Sequence, residues 1–289
     1  METCADTASD AAPTEVTHTP IHGRPARHAW LRELGIVLGF YYVYQTIRSL
    51  ADLGGVKSRA HGNAHWIVNA EKSLFMFHEQ SIQQAFLGAT WFIKVMNVYY
   101  GTLHFIITAG LLVWLYVKRH HAYRRMRNLL GATTGLALIG YWAFPLAPPR
   151  LYLQCDGNIP ALGPEGGLVK PVCFVDTLDK IGGLWNYQSS AAKAIANAYA
   201  AMPSLHFGWA LWCAIAIWKF VGGRRGHVLA VLYPMLTLFA IVVTANHYFL
   251  DALGGTIILL GGIAVVRWQD RRRSHRQAPA PSEQLTMAE

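Results

Sequence analysis

Charge is what this sequence has least of. Asp, Glu, Lys and Arg make up only 14% of its 289 residues, against about 25% in a soluble domain. That shortage excludes an ordinary soluble surface. Acids are the scarcer sign, with 16 Asp and Glu against 25 Lys and Arg and a formal net charge of +9. Nothing in the sequence resembles the closely spaced ligand pairs of zinc proteins, which argues against a structural zinc site. No internal repeat is found, so the chain lacks the two related halves common in transporters. Residues 1–27 have no apolar core. They are expected to form a disordered cytoplasmic tail, not a signal peptide.

What is present in quantity is hydrophobic: 53% of the residues, including ten Trp and thirteen Tyr. The apolar residues gather in runs long enough to cross a bilayer, which takes about 20 residues per helix. Six spans are expected, at about 30–47, 91–117, 129–144, 205–220, 228–244 and 248–266. The fold class is therefore all-α, a polytopic membrane helical bundle of six transmembrane helices. Trp30, Trp91, Tyr141, Trp142 and Trp268 sit near span ends, where amphipathic aromatics favour the interface.

The positive charge is unevenly placed. Lys118, Arg119, Arg124, Arg125 and Arg127 lie between spans two and three, and Lys219, Arg224 and Arg225 between spans four and five. Arg267, Arg271, Arg272, Arg273 and Arg276 follow span six, and Arg24, Arg27 and Arg32 precede or begin span one. All fall on one side of a six-span arrangement, as the positive-inside rule requires. Both termini are expected in the cytoplasm of an integral plasma (inner) membrane protein. The basic clusters then serve topology and anionic-lipid contact, with no nucleic-acid partner. Domain limits follow: a tail at 1–27, a membrane domain at 28–270 and a basic cytoplasmic tail at 271–289.

Two segments outside the bilayer stand out. Residues 49–90 mix Trp66, Ile67, Leu74, Phe75 and Phe77 with Glu71, Lys72, His78 and Glu79. This suits amphipathic helices at the interface, packed on the bundle or serving as a lid. Residues 145–202 form an extracytoplasmic loop holding Cys155 and Cys173, where oxidising conditions permit a disulfide. Cys4 reads as a tail thiol and Cys213 as a helix-packing thiol.

The chemistry-bearing residues cluster at the outside ends of spans. His247 and Asp251 are spaced i, i+4, which puts both on one helix face. The carboxylate can fix the imidazole tautomer and leave the other nitrogen as nucleophile or base. Packing alone would use such a pair to join helices. Met202-Pro203-Ser204-Leu205-His206 ends forty-one residues before His247. Pro203 suits a first helical turn, whose free amides favour an anion. Ser204 can add a hydroxyl to the same anion. His206 is placed to protonate a leaving oxygen. Arg150 follows Pro145, Pro148 and Pro149 in a stiff segment. It can clamp phosphate oxygens or snorkel to the interface. His104, Tyr100 and Asn246 are placed as site-lining residues, with His104 also able to bond a neighbouring helix. No metal and no cofactor are expected.

Pro203-Ser204-Leu205-His206 and His247-Tyr248-Phe249-Leu250-Asp251 resemble the core motifs of the type 2 phosphatidic acid phosphatase superfamily, which includes lipid phosphate phosphatases and vanadium haloperoxidases. There are departures. Leu205 replaces the usual Gly, Ala240-Ile241 replace the usual Ser-Arg, and Ala143 and Leu151 replace the Lys and Pro of the first motif. With Ala147-Pro148-Pro149-Arg150 and Asn246-His247, these departures resemble the inositol phosphorylceramide synthase-like (inositolphosphotransferase) branch. The resemblance implies that His247 attacks phosphorus to give a phosphohistidine and that Asp251 orients it. It also implies that His206 protonates the leaving group while Ser204 and Arg150 hold phosphate oxygens. The expected function is a membrane phosphatase or phosphotransferase acting on a lipid-linked phosphoester at the outer face. The alternative is a six-helix transporter or lipid-binding protein that uses the His and Asp residues structurally or as a proton relay.

Overall fold

The structure is a computed structural model. It describes residues 55–153, 173–184 and 199–277, with short pieces at 161–162 and 168–169 and separate positions between 31 and 46. The chain divides into two compact units, Met1–Val43 and Tyr44–Glu289. In the first, residues 31, 33–36, 38, 39 and 42 are helical. The rest of the expected first span, the tail at 1–27 and Cys4 lie outside the described residues there.

The second unit is built from helices. α1 is Val56–Ser73, α2 is Glu79–Phe86 and α3 is Thr90–Lys118, which contains a π turn at Tyr99–Leu103. α4 is His120–Ala143 and α5 is Pro149–Tyr152. A two-residue antiparallel pair, β1 (Ala161–Leu162) and β2 (Leu168–Val169), precedes α6 at Thr177–Lys180. α7 is Leu205–Val221, α8 is Gly223–Val243 and α9 is Phe249–Gln277. Among the described residues, α3, α8 and the stretch of α9 to Ser274 are long and apolar enough to cross a membrane, and α7 is a shorter apolar helix. Val228, Val231, Leu232, Met235, Ile257 and Leu260 on α8 and α9 are exposed. Apolar surface of that kind fits hydrocarbon better than water.

Helix limits differ from the sequence expectation at two places. α4 begins at His120, not near 129, and takes Arg124, Arg125 and Arg127 into its first turns. α9 runs on to Gln277 and takes in Arg267, Arg271, Arg272 and Arg273, some of which were expected in a separate tail. Hydropathy marks only the apolar part of a helix, whereas arginine is itself a good helix former. Arg272 lies over the Trp268 ring at 3.8 Å, a cation–π contact at the basic end of the bundle.

The connections set the helix directions. Arg119 leaves helical geometry (φ −136°) between α3 and α4, and Gly222 and Gly223 supply positive φ between α7 and α8. The ends of α4 and α8 and the starts of α7 and α9 therefore gather at one end of the bundle. The basic residues of α4, α7, α8 and α9 gather at the other.

α7, α9 and α4 approach through small residues, as membrane helices do. A Cβ on Gly255 of α9 would collide with the carbonyl oxygen of Ser204 and lie 3.1 Å from the Gly208 amide. A Cβ on Gly140 of α4 would lie 2.5 Å from Pro203 Cδ. Toward the basic end, Trp212, Tyr123, Met126, Leu129 and Leu259 form a core, with Trp212 Nε1 donating to the Met126 carbonyl at 2.9 Å. Toward the other end, Ala60, Ala64 and Ile67 of α1 pack with Leu146, Ala147, Ala201 and Tyr248.

The residue mixture at 49–90 suits amphipathic helices at the interface, and the structure hides two acids of this segment, Glu71 and Glu79. Both carboxylates are fully buried, because each accepts a backbone hydrogen bond from the start of α9. Its apolar side is split, with Ile67 and Val68 buried and Trp66, Leu74 and Phe75 exposed.

Gly255→Ala is expected to destabilise the bundle by about 1–3 kcal/mol, the usual cost of overpacking. It should also push α7 away from α9. A thermal melt of the detergent-solubilised protein checks this, with Gly254→Ala, whose Cβ meets only Pro203 and Met202 atoms at 3.1 Å or more, as the milder comparison.

Candidate active site

The turn after α8 delivers the first residues of the site. Ala245 adopts φ +53°, a left-handed conformation that costs an L-residue roughly 1–2 kcal/mol. Its carbonyl accepts the Arg150 amide at 3.0 Å, and the amides of Asn246 and His247 both return to the Ile241 carbonyl. The chain is thus locked as it leaves α8 and turns toward α9.

His247 precedes α9 instead of lying within it. The i, i+4 expectation of one helix face is therefore corrected, although the contact it foresaw is made. His247 Nδ1 lies 2.9 Å from the Ala201 carbonyl oxygen and 3.2 Å from Asp251 Oδ2. Both partners are acceptors, the carbonyl by nature and the carboxylate when ionised, so Nδ1 carries the hydrogen. Nε2 then holds the lone pair. It is buried and has no partner among the described residues. The same Asp251 oxygen accepts the Tyr248 amide at 2.9 Å. This is the acidic half of a capping box, so one carboxylate both orients the imidazole and starts the helix.

α7 supplies the opposite wall. Ser204 is its N-cap, with Oγ accepting the Phe207 amide at 3.3 Å. Pro203 stands before the cap, not in the first turn as expected, because Ser204 already occupies the capping position. The amides of Leu205 and His206 have no acceptor among the described residues. They are the open donors of this helix start, where the macrodipole favours an anion.

His206 follows in the first turn. Its ring stacks on Tyr100 at 4.2 Å between centroids and lies 5.5 Å from the His247 ring and 5.2 Å from the His104 ring. It hydrogen-bonds to the backbone of Tyr100. Its Nε2 has no partner among the described residues, so Nδ1 makes that bond. The Tyr100 carbonyl belongs to the π turn of α3, where the regular i+4 ladder is interrupted, a feature that recurs at functional sites. His104 bonds to its neighbour helix through Nδ1 and the Tyr233 hydroxyl of α8 at 3.0 Å. Its Nε2 also lacks a partner there.

Arg150 is not a free clamp. Nε donates to Asn246 Oδ1 and Nη1 to Asp176 Oδ2, both at 2.8 Å. Nη2 has no partner among the described residues. The fork is held at two corners and leaves a third to a ligand. Asn246 is in turn fixed by Nδ2 donating to Thr244 Oγ1 at 2.8 Å. Asp176 was missed by sequence reasoning. It sits in a loop 26 residues from Arg150, and no local pattern links the two. Cys173, three residues before it, is disulfide-bonded, while Cys155 lies outside the described residues. Cys213 is a buried free thiol. Among the described residues no group of three or more His, Cys, Asp or Glu side chains could hold a metal.

The model of the PAP2 superfamily matches residues 65–265, which takes in every residue placed in the site. The chain belongs to the PAP2 superfamily, which includes phosphatases. No curated protein and no solved structure matches it.

Arg150→Lys should weaken inhibition by orthovanadate by at least about tenfold, a difference of 1.4 kcal/mol. A lysine cannot hold Asn246 and Asp176 and still offer a directed donor. A titration of inhibition against vanadate concentration checks this.

Proposed function

We propose that this chain is an integral membrane enzyme that breaks a lipid-linked phosphoester at the outer face through a phosphohistidine on His247. The observation that carries the proposal is the pair of buried, unpartnered Nε2 atoms on His247 and His206. Their rings lie 5.5 Å apart beside the open amides of α7. Superfamily membership supports a phosphatase or phosphotransferase acting on lipid phosphates.

The chemistry follows from the tautomers. The lone pair of His247 Nε2 attacks phosphorus, forming the N–P bond as the bond to the leaving oxygen breaks. Protonated His206 donates from Nε2 to that oxygen while its Nδ1 hydrogen stays on the Tyr100 carbonyl. The positive charge on the His247 ring is balanced by Asp251. Arg150 Nη2, the Ser204 hydroxyl and the amides of Leu205 and His206 hold the phosphoryl oxygens. A hydroxyl then attacks phosphorus, gives its proton to His206 and frees His247. When that hydroxyl belongs to water, free phosphate is released. When it belongs to a lipid or sugar, the enzyme is a transferase, as the resemblance to the inositolphosphotransferase branch suggests.

The six-span topology belongs to the same proposal. The site lies at the bundle end opposite the basic residues of α4, α7, α8 and α9, and the positive-inside rule puts that end outside. A disulfide between Cys155 and Cys173 fits an oxidising compartment. Both termini are then cytoplasmic.

His247→Ala should lower turnover by about six orders of magnitude, the scale seen when a nucleophile is removed. His206→Ala should cost about 10²–10⁴-fold on ordinary esters and much less on an ester whose leaving group needs no proton. The assay uses purified protein in nanodiscs with phosphatidate, polyprenyl diphosphate, phosphatidylinositol and phosphatidylglycerophosphate, and follows free phosphate and lipid products together. Full activity in His247→Ala would remove the nucleophile assignment.

A further inference from the structure

Two carboxylates outside the proposed reaction meet the start of α9. Glu79 Oε1 accepts the Phe249 amide at 3.0 Å, and Glu71 Oε1 accepts the Leu250 amide at 2.8 Å. The acids come from different helices, α2 and α1, and lie 170 and 179 residues from those amides in sequence. Both are fully buried. Their Oε2 atoms are buried without a hydrogen-bond donor among the described residues, and after burial it is Glu79 that raises the Glu71 carboxyl most, so the two carboxyls lie against one another. Two carboxyl oxygens can share a hydrogen bond only when one of them carries a proton. Two bare carboxylates buried side by side would repel strongly instead.

We infer that Glu71 and Glu79 share one proton and act together as positioning residues that clamp the N-terminus of α9, and with it His247 and Asp251. Each Oε1 takes one backbone amide of the first turn. The proton bridges the two Oε2 atoms and ties α1 to α2 across the helix start. With Asp251 on the Tyr248 amide and the Tyr248 carbonyl on the Asp251 amide, every early donor of α9 is taken. The acidic pair also suits the positive end of the helix dipole. Glu71 is held well above the usual carboxylate range, first by burial, then by Glu79, and to a smaller degree by Asp251. The titratable groups around the pair are each other, Asp251 of α9, Tyr248 just before α9, and Tyr152 of α5 beyond Tyr248. The link to catalysis rests on the proposed role of His247. The shared proton does not.

The test uses the full chain in nanodiscs and four variants, Glu71→Gln, Glu79→Gln, the double Gln variant and Glu71→Ala. An amide can replace the protonated acid, since it accepts from Leu250 or Phe249 and donates to the remaining carboxylate. Each single Gln variant should therefore keep wild-type thermal stability and turnover within about threefold. Glu71→Ala and the double variant should melt lower and lose roughly tenfold to a hundredfold in kcat with KM little changed, the scale of a small misplacement of a catalytic group. Infrared spectra at pH 8 should show a protonated carboxyl stretch in the wild type that disappears in both single Gln variants.

The pH dependence has a definite sign. A carboxyl whose folded pKa lies above its unfolded value stabilises most below the unfolded pKa, and that contribution falls as pH rises. The wild type should lose stability from mildly acidic to alkaline pH, and Glu71→Gln should flatten that slope. Absence of the infrared band in the wild type, or a Glu71→Gln variant as damaged as Glu71→Ala, would overturn the inference. If no substrate is turned over by the wild type, the proposed function fails, while the infrared and melting results still decide the clamp.

Discussion

A helix that begins inside a membrane protein must find acceptors for its first backbone amides, because little water is there to take them. This bundle meets that requirement in opposite ways at two neighbouring helix starts. At α9 the donors are saturated by Asp251, Glu79, Glu71 and the Tyr248 carbonyl. At α7 only the Phe207 amide is capped, by Ser204, and the amides of Leu205 and His206 stay open. Donors left open are costly unless something occupies them, and an anion at a helix start does so. In the proposed mechanism the contrast gives the phosphoryl oxygens to α7 and leaves the start of α9 to present the nucleophile.

The two starts can face each other only because the helices nearly touch. Gly255 sits against the Ser204 carbonyl, and Ser204 in turn donates its amide to the Asp251 carbonyl at 2.8 Å. That backbone bond fastens the cap of α7 to the first turn of α9. The Ala201 carbonyl, just before the cap, receives His247 Nδ1. Helix packing and the geometry of the proposed site are therefore one set of contacts, and a methyl group added at the crossing disturbs both.

Much of the site was legible because its parts are short and local. Pro203-Ser204-Leu205-His206 and His247 to Asp251 carry their chemistry within five residues each, and hydropathy showed that both open apolar helices. What was not legible depends on pairs far apart in sequence. Arg150 finds Asp176 in a loop whose local pattern carries no sign of it. Glu71 and Glu79 belong to a mixture that suits amphipathic helices, and an acid among apolar residues reads the same whether it faces water or a distant backbone amide. The helix ends near Arg124 and Arg272 were misplaced for a related reason: hydropathy follows the bilayer, while hydrogen bonding carries the helix beyond it.

The charges near His247 give the buried proton a consequence beyond packing. The proposed mechanism needs Asp251 as an anion to balance the imidazole once it bonds to phosphorus, and Asp176 is matched by Arg150 at 2.8 Å. With Glu71 and Glu79 both ionised, a further uncompensated charge would stand a few residues from the nucleophile, in a medium that screens little. A phosphate approaching His247 would then meet net repulsion that Arg150 and the start of α7 would have to overcome. One proton on the pair removes that charge and keeps both hydrogen bonds to α9, because a protonated carboxyl still accepts through its other oxygen. The clamp is thus built from acids, which the helix start favours, yet adds only one negative charge to a site that must admit an anion.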